Sequence, residues 1–168
     1  MKIGILGGSF DPAHKGHLAI SKEAIRRFKL EKIIWAVTKK NPLKAESKTP
    51  ISKKIKDCKK IIGMNSFIKV KFYENIIKSN KTIDLINYLK KDKKIEIFFL
   101  MGADNLINFH KWFRSKLISQ KCNIIVFDRH GYKKNSLKSK TFKRLNNKTL
   151  TFVEFKKVNI SSSQLRKI

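Results

Sequence analysis

Short apolar runs alternate with amphipathic stretches along the whole chain, and this alternation constrains the fold more than any other feature. Lys2–Leu6 is an apolar run ended by Gly7-Gly8, which marks a buried strand, and Lys32–Val37 is a second. Ser66–Tyr73 alternates at Phe67, Ile68, Val70 and Phe72 and reads as a third. Ile95–Met101 is the most hydrophobic run, so it is expected to be a central strand covered on both faces. Asn123–Phe127 is a fifth strand and Leu150–Phe155 a last one. Between them, His17–Phe28, Ile51–Ile62 and Thr82–Lys91 carry apolar residues at helical spacing, and Gly102-Ala103-Asp104 opens a further helix. A loop begins at Asn41-Pro42 and runs to about Pro50. Arg129–Asn147 is basic and polar and reads as a mobile loop with some helix, and Ser161–Arg166 begins a terminal helix. The pattern predicts an α/β fold, a Rossmann-like doubly wound parallel sheet with helices on both faces. Ligands of such sheets bind beyond the carboxyl ends of the strands, where strand order reverses. That points to Gly7–His17, the loop after Val37, Gly102–Asp104 and the loop after Phe127.

With 168 residues the chain fits one domain, residues 1–168, and can bury a real core. An apolar fraction of 41% argues against intrinsic disorder. No apolar run approaches the ~20 residues of a membrane-spanning helix. The glycine-rich start does not read as a signal peptide, so a cytoplasmic protein without a membrane partner is expected. Thirty-four lysines and six arginines face twelve acids, for a net charge of +28. The basic residues are scattered and lack interleaved aromatics, and the chain is also crowded with Ile, Asn and Phe. We read the charge as compositional bias rather than the footprint of a dedicated nucleic-acid partner; an RNA-binding protein is the alternative from another class. Cys58 and Cys122 show no metal or disulfide spacing and are expected to be ordinary thiols in a reducing compartment.

The chemistry concentrates in Gly7-Gly8-Ser9-Phe10-Asp11-Pro12-Ala13-His14-Lys15-Gly16-His17, between the first strand and the first helix. Gly7 and Gly8 let backbone N–H groups approach an anion, and a helix start favours phosphate. His14 and His17 are spaced to face one ligand, yet a His-x-x-His pair is more often a pair of solvated or capping side chains than a site. The segment is neither a Walker A loop nor a dinucleotide fingerprint. Near the other end, Ser161-Ser162-Ser163 at a helix start with Arg166 a turn later could hold phosphates or serve only as an N-cap.

Taken whole, the first segment resembles the GSFDPxHxGH signature of the HxGH-motif nucleotidyltransferase superfamily. Ile160–Arg166 resembles that superfamily's ISSxxxR signature. Within it, the chain looks most like the bacterial nicotinate-nucleotide adenylyltransferases, on three further matches: Asn41-Pro42-Leu43-Lys44, Gly102-Ala103-Asp104 and His110-Lys111-Trp112-Phe113. The resemblance implies adenylyl transfer from ATP, with Mg²⁺, to nicotinate mononucleotide. It implies that Gly7, Gly8, Ser9 and Phe10 line the nucleotide and that His14 and His17 act on the ATP phosphates. Ser161, Ser162, Ser163 and Arg166 would hold the outgoing phosphates, Gly102 and Asp104 would meet nucleotide and ribose, and Arg129 would contact nucleotide. Trp112 would stack on the pyridine ring, Thr82 and the backbone of Phe113 would bind its carboxylate, and Lys44 would contact substrate. No metal-binding motif is expected in the protein itself. Phosphopantetheine adenylyltransferases and cytidylyltransferases are the nearest alternatives. The chain departs from the pattern at Lys81, Phe113 and His130 and in its short C-terminus, which leaves homo-oligomerisation open.

Overall fold

The computed structural model describes residues 1–39 and 48–155. Six strands form one sheet: β1 (Lys2–Gly8), β2 (Lys32–Val37), β3 (Ile68–Lys71), β4 (Glu96–Gly102), β5 (Asn123–Phe127) and β6 (Leu150–Val153). Their order is β3-β2-β1-β4-β5-β6, and every neighbouring pair is parallel. This is the doubly wound order expected from the alternation, with the reversal between β1 and β4.

The central strands are apolar on both faces because both faces are covered. Ile3, Ile5, Phe99 and Met101 point into one core with Ile83, Ile86, Leu106 and Phe109. Leu6, Leu100, Trp35 and Phe127 point into the other with Ala24, Cys58 and Ile62. The covering helices are α1 (Lys15–Phe28), α2 (Ile51–Ile62), α3 (Glu74–Ile77), α4 (Thr82–Leu89), α5 (Ala103–Asn108), α6 (Ser115–Lys121), α7 (Lys133–Leu137) and α8 (Lys140–Leu145).

Three expectations are corrected. Ser66–Tyr73 pairs only over Ile68–Lys71, because β3 is an edge strand with one neighbour. Arg129–Asn147, read as a mobile loop with some helix, contains the two helices α7 and α8, packed through buried Ser136, Thr141 and Leu145. Lys121 ends α6, a helix the sequence reading did not separate from the one after Gly102. Both cysteines are buried and free, and burial pushes each thiol up to about 12, so neither is a nucleophile. The loop carrying Lys44 and the segment Ser161–Arg166 lie outside the described residues. No described helix is long and apolar enough to cross a membrane.

Candidate active site

The site is built where the sheet reverses. β1 and β4 lie side by side with Leu6 opposite Leu100, and β4 and β5 with Gly102 opposite Phe127, so three strands end together. Beyond them a cleft is lined by Gly7, His14 and His17 after β1, by Gly102 and Asp104 after β4, by Trp112, and by Asp128 and Arg129 after β5. The sheet therefore unites seven of the candidate residues from distant parts of the chain.

His14 is the N-cap of α1 and His17 is its third helical residue. The Gly16 N–H donates to His14 Nδ1 at 3.0 Å, and the His14 N–H donates to His17 Nδ1 at 3.1 Å. The two rings thus form a reciprocal capping box, a task normally given to a hydroxyl and a carboxylate. A ring nitrogen that accepts carries no proton, so each neutral imidazole holds its proton on Nε2. The rings lie 3.9 Å apart between centroids. His14 Nε2 is buried and has no partner among the described residues.

Burial, helped by the nearby Arg129 guanidinium, lowers the His14 pKa to about 4. Burial pushes His17 well down too, followed by the proximity of His14 and Arg129. The free protein therefore offers two neutral, pre-aimed N–H donors and not two cations. The capping reading of His-x-x-His holds, and capping fixes the tautomers that a ligand would meet.

Support continues beneath. Phe10 sits 4.6 Å from His17 and stacks on Trp35 at 5.2 Å. Trp35 Nε1 donates to Ser21 Oγ, and Ser21 Oγ donates to the His17 carbonyl, both at 2.8 Å. Phe10 is 1% exposed. Its ring is core, so it is the backbone, at φ +48°, that could line a nucleotide.

On the opposite wall, Arg129 Nη1 donates to Asp104 Oδ2 at 2.8 Å. Asp104 Oδ1 is buried without a partner among the described residues. A Cβ at Gly102 would stand 2.5 Å from that oxygen, so a larger residue there would have to push the carboxylate aside. Half-buried Trp112 packs edge-on against Phe99 at 5.9 Å and against Phe109 at 5.1 Å, leaving it anchored from behind at the cleft wall. Thr82 starts α4, and the ammonium of its neighbour Lys81 lies 5.9 Å over the exposed Phe113 ring. Neither Thr82 nor Phe113 lines the cleft itself.

Asp128 is the residue the sequence reading missed. It lines the cleft beside Arg129 with Oδ1 buried and unpartnered among the described residues. An acid at the carboxyl end of an otherwise apolar strand was the available signal. No group of three or more His, Cys, Asp or Glu among the described residues could hold a metal ion.

Comparison with known proteins shows the family and the fold. A model of the cytidylyltransferase-like family matches residues 5–168. A probable nicotinate-nucleotide adenylyltransferase of Pelagibacter ubique is 68% identical over 99% of this chain and 93% of its own length. One of Methylorubrum extorquens is 37% identical over 79% of this chain and 72% of its own. Among solved structures, the Plasmodium falciparum nicotinic acid mononucleotide adenylyltransferase complexed with NaAD superimposes with a TM-score of 0.81 at 22% identity. That match covers 99% of this chain and 82% of the other.

Proposed function

The chain belongs to the cytidylyltransferase-like family and, within it, to the nicotinate-nucleotide adenylyltransferases, and we propose that it transfers the adenylyl group of ATP to nicotinate mononucleotide. The products are deamido-NAD and pyrophosphate, a step of NAD biosynthesis. The observation that carries this reading is the two-histidine capping box at the reversal point, which aims two neutral N–H donors from a helix start into one cleft.

The mononucleotide phosphate is a nucleophile at neutral pH. One of its oxygens attacks the α-phosphorus of ATP, a new P–O bond forms, and the bond to the bridging oxygen of the β-phosphate breaks. No general base is needed. The barrier is the approach of two anions, which repel by about 4 kcal/mol per pair of unit charges at 4 Å and an effective dielectric of ~20. His14 and His17 would donate to phosphoryl oxygens as charge builds there, and Arg129 would supply the fixed positive charge nearby. Catalysis is then positioning plus electrostatic stabilisation. Mg²⁺, if it accompanies ATP, would be held mainly by the phosphates of that substrate and would supply further positive charge there.

Trp112 would offer its face to the pyridine ring, and Lys81 would place positive charge near a carboxylate bound at Thr82 and Phe113. Lys44, Ser161, Ser162, Ser163 and Arg166 would complete the phosphate grip. Gly7, Gly8 and Ser9 would present backbone to the nucleotide. We take residues 1–168 as one nucleotidyltransferase domain acting in the cytoplasm.

A panel of acceptors, with ATP or CTP as donor and pyrophosphate release as the readout, tests the reading. Nicotinate mononucleotide with ATP should exceed every other pair, nicotinamide mononucleotide included, by at least tenfold in kcat/KM. A preference for phosphopantetheine or for CTP would replace it with another reaction of the same family.

A further inference from the structure

We propose that Glu74 is a positioning residue for the transfer: acting through Thr38, it holds the turn after β1 in the orientation that aims a backbone N–H into the cleft. This rests on the proposed contact between the Gly7–Ser9 backbone and the donor phosphates, and not on the identity of the acceptor. Thr38 directly follows β2. Its hydroxyl donates to Glu74 Oε1 at 2.5 Å, and the Lys39 N–H donates to the same oxygen at 2.9 Å. The Lys54 ammonium donates to the Thr38 carbonyl at 3.1 Å. Lys54 is 1% exposed, and an ammonium is buried that deeply only where it has bonds to make. Two charged side chains, one from α2 and one from α3, are therefore committed to a single residue at a strand end. Glu74 is itself held in place. Tyr73 before it is buried, and the Tyr73 carbonyl accepts from the N–H groups of Ile76 and Ile77.

The Thr38 N–H carries the effect to the site, because it donates to the Gly8 carbonyl at 3.0 Å. Backbone groups along β1 alternate between its two neighbours. The Met1 carbonyl accepts from Glu96 on β4, the Lys2 carbonyl from Glu31 beside β2, and the Gly8 carbonyl from Thr38 at the end of β2. A trans peptide points its C=O and its N–H in opposite directions. With the Gly8 carbonyl turned to β2, the Ser9 N–H is turned toward the β4 side. The cleft opens on that side. β1 stays paired with β2 as far as Gly8 and Val37, but with β4 only as far as Leu6 and Leu100. Gly7, His14 and Gly102 line the cleft where the two strands part. A peptide that follows glycine rotates easily unless something holds it. Rotated by half a turn, the Gly8–Ser9 peptide would show an anion its carbonyl in place of its N–H. The Glu74–Thr38 clamp decides which of the two a phosphate meets.

The test uses Glu74→Ala, Glu74→Gln and Thr38→Val in the full chain. Glu74→Ala should lose about tenfold or more in kcat/KM for ATP, the scale of a small misplacement of a binding group, while the acceptor KM is unchanged. One carboxylate oxygen takes both bonds, so the amide oxygen of Glu74→Gln should replace it and keep kcat/KM within about threefold of wild type. Thr38→Val, close in shape but without the hydroxyl, should reproduce the loss of Glu74→Ala. The two together should cost no more than the worse one alone, as expected of groups that share one bond. Amide hydrogen exchange reads the positioning directly: the Thr38 N–H should exchange at least about tenfold faster in Glu74→Ala than in the wild type or Glu74→Gln. Calorimetric binding of inorganic tripolyphosphate, without acceptor, should weaken about tenfold in Glu74→Ala. That arm separates a failure of the clamp from a failure of the acceptor assignment. Normal kcat/KM for ATP in Glu74→Ala, or a Glu74→Gln as impaired as Glu74→Ala, would overturn the proposal. So would unchanged tripolyphosphate binding in a variant whose Thr38 N–H exchanges faster, or a loss spread equally over the KM of both substrates.

Discussion

At the residue scale, the histidine pair ties stability to pH. His14 has a folded pKa of about 4, below its unfolded value near 6.5, so the unfolded chain binds more protons between those limits. Stability therefore rises with pH across that window and falls as pH drops through it, by up to about 1.4 kcal/mol per pH unit for one such group. Urea unfolding at pH 7 and pH 5 should show this slope, and His14→Asn, which keeps a capping acceptor but does not titrate, should reduce it and leave the part that His17 contributes. His17→Ala removes one phosphate donor and the acceptor for the His14 N–H. Turnover should fall by about 10²–10³, while stability falls by only about 1 kcal/mol for the cap. Near-normal turnover in that variant would remove His17 from the mechanism. Gly102→Ala drives a methyl into Asp104 Oδ1 and should break the pair with Arg129. The expected result is a rise of tenfold or more in the ATP KM with little change in unfolding midpoint; an unchanged KM would show that Asp104 does not meet the nucleotide. These residues were legible in the sequence as types at a spacing. Which ring nitrogen accepts, and that the rings are neutral, depends on burial by Phe10 and Trp35 and was not.

At the element scale, α1 is set against the sheet by one buried hydrogen-bond chain, from Trp35 Nε1 to Ser21 Oγ and on to the His17 carbonyl. Ser21 is fully buried, and Ser21→Ala would strand the indole N–H in the core. That should cost about 1–3 kcal/mol, measured by urea unfolding, and should lower turnover as well because the first turn of α1 carries His17. A loss of stability with full turnover would mean that the first turn is held by its caps alone. The same chain shows what a hydropathy reading can see. Lys32–Val37 was legible as a strand from its apolar run, but a buried serine contributes no periodicity. The stretch Arg129–Asn147 makes the point more strongly. Its helices α7 and α8 bury Ser136 and Thr141 where an apolar pattern would be sought, and α8 is capped by Ser139, whose Oγ accepts from the Phe142 N–H at 3.1 Å. Lysine-rich and serine-rich segments look like loops until their small polar residues are found facing inward. For β3 the error ran the other way. Phe67 and Phe72 alternate like strand residues, yet an edge strand pairs only as far as its single neighbour extends.

At the scale of the whole molecule, the sheet order is what turns separate motifs into a site. Alternation of strands and helices was enough to expect that loops after β1, β4 and β5 share one edge, because parallel strands all end on the same side. It could not show that Asp104 would pair with Arg129 or that Asp128 would stand beside them at the end of β5, since those contacts depend on register across the sheet. The net charge of +28 belongs to this scale too. Exposed basic residues occur along α1 (Lys22, Arg26, Arg27), along α2 (Lys53, Lys56, Lys59, Lys60) and on the β3 edge (Lys69, Lys71). The described ion pairs consume few of them. Charge spread over several sides repels itself and works against the compact state, and salt should relieve it. Raising NaCl from about 10 mM to about 150 mM shortens the screening length from about 30 Å to about 8 Å. The melting temperature should then rise by about 2–4 °C, the equivalent of about 1 kcal/mol for a chain of this size. A dedicated polyanion site would behave differently: RNA added at 150 mM salt would raise the melting temperature further, with an affinity that falls steeply as salt increases. Stabilisation by salt with no further shift from RNA assigns the charge to composition. A melting temperature that drops with salt would instead mean that the lysines are engaged in favourable pairs across the surface.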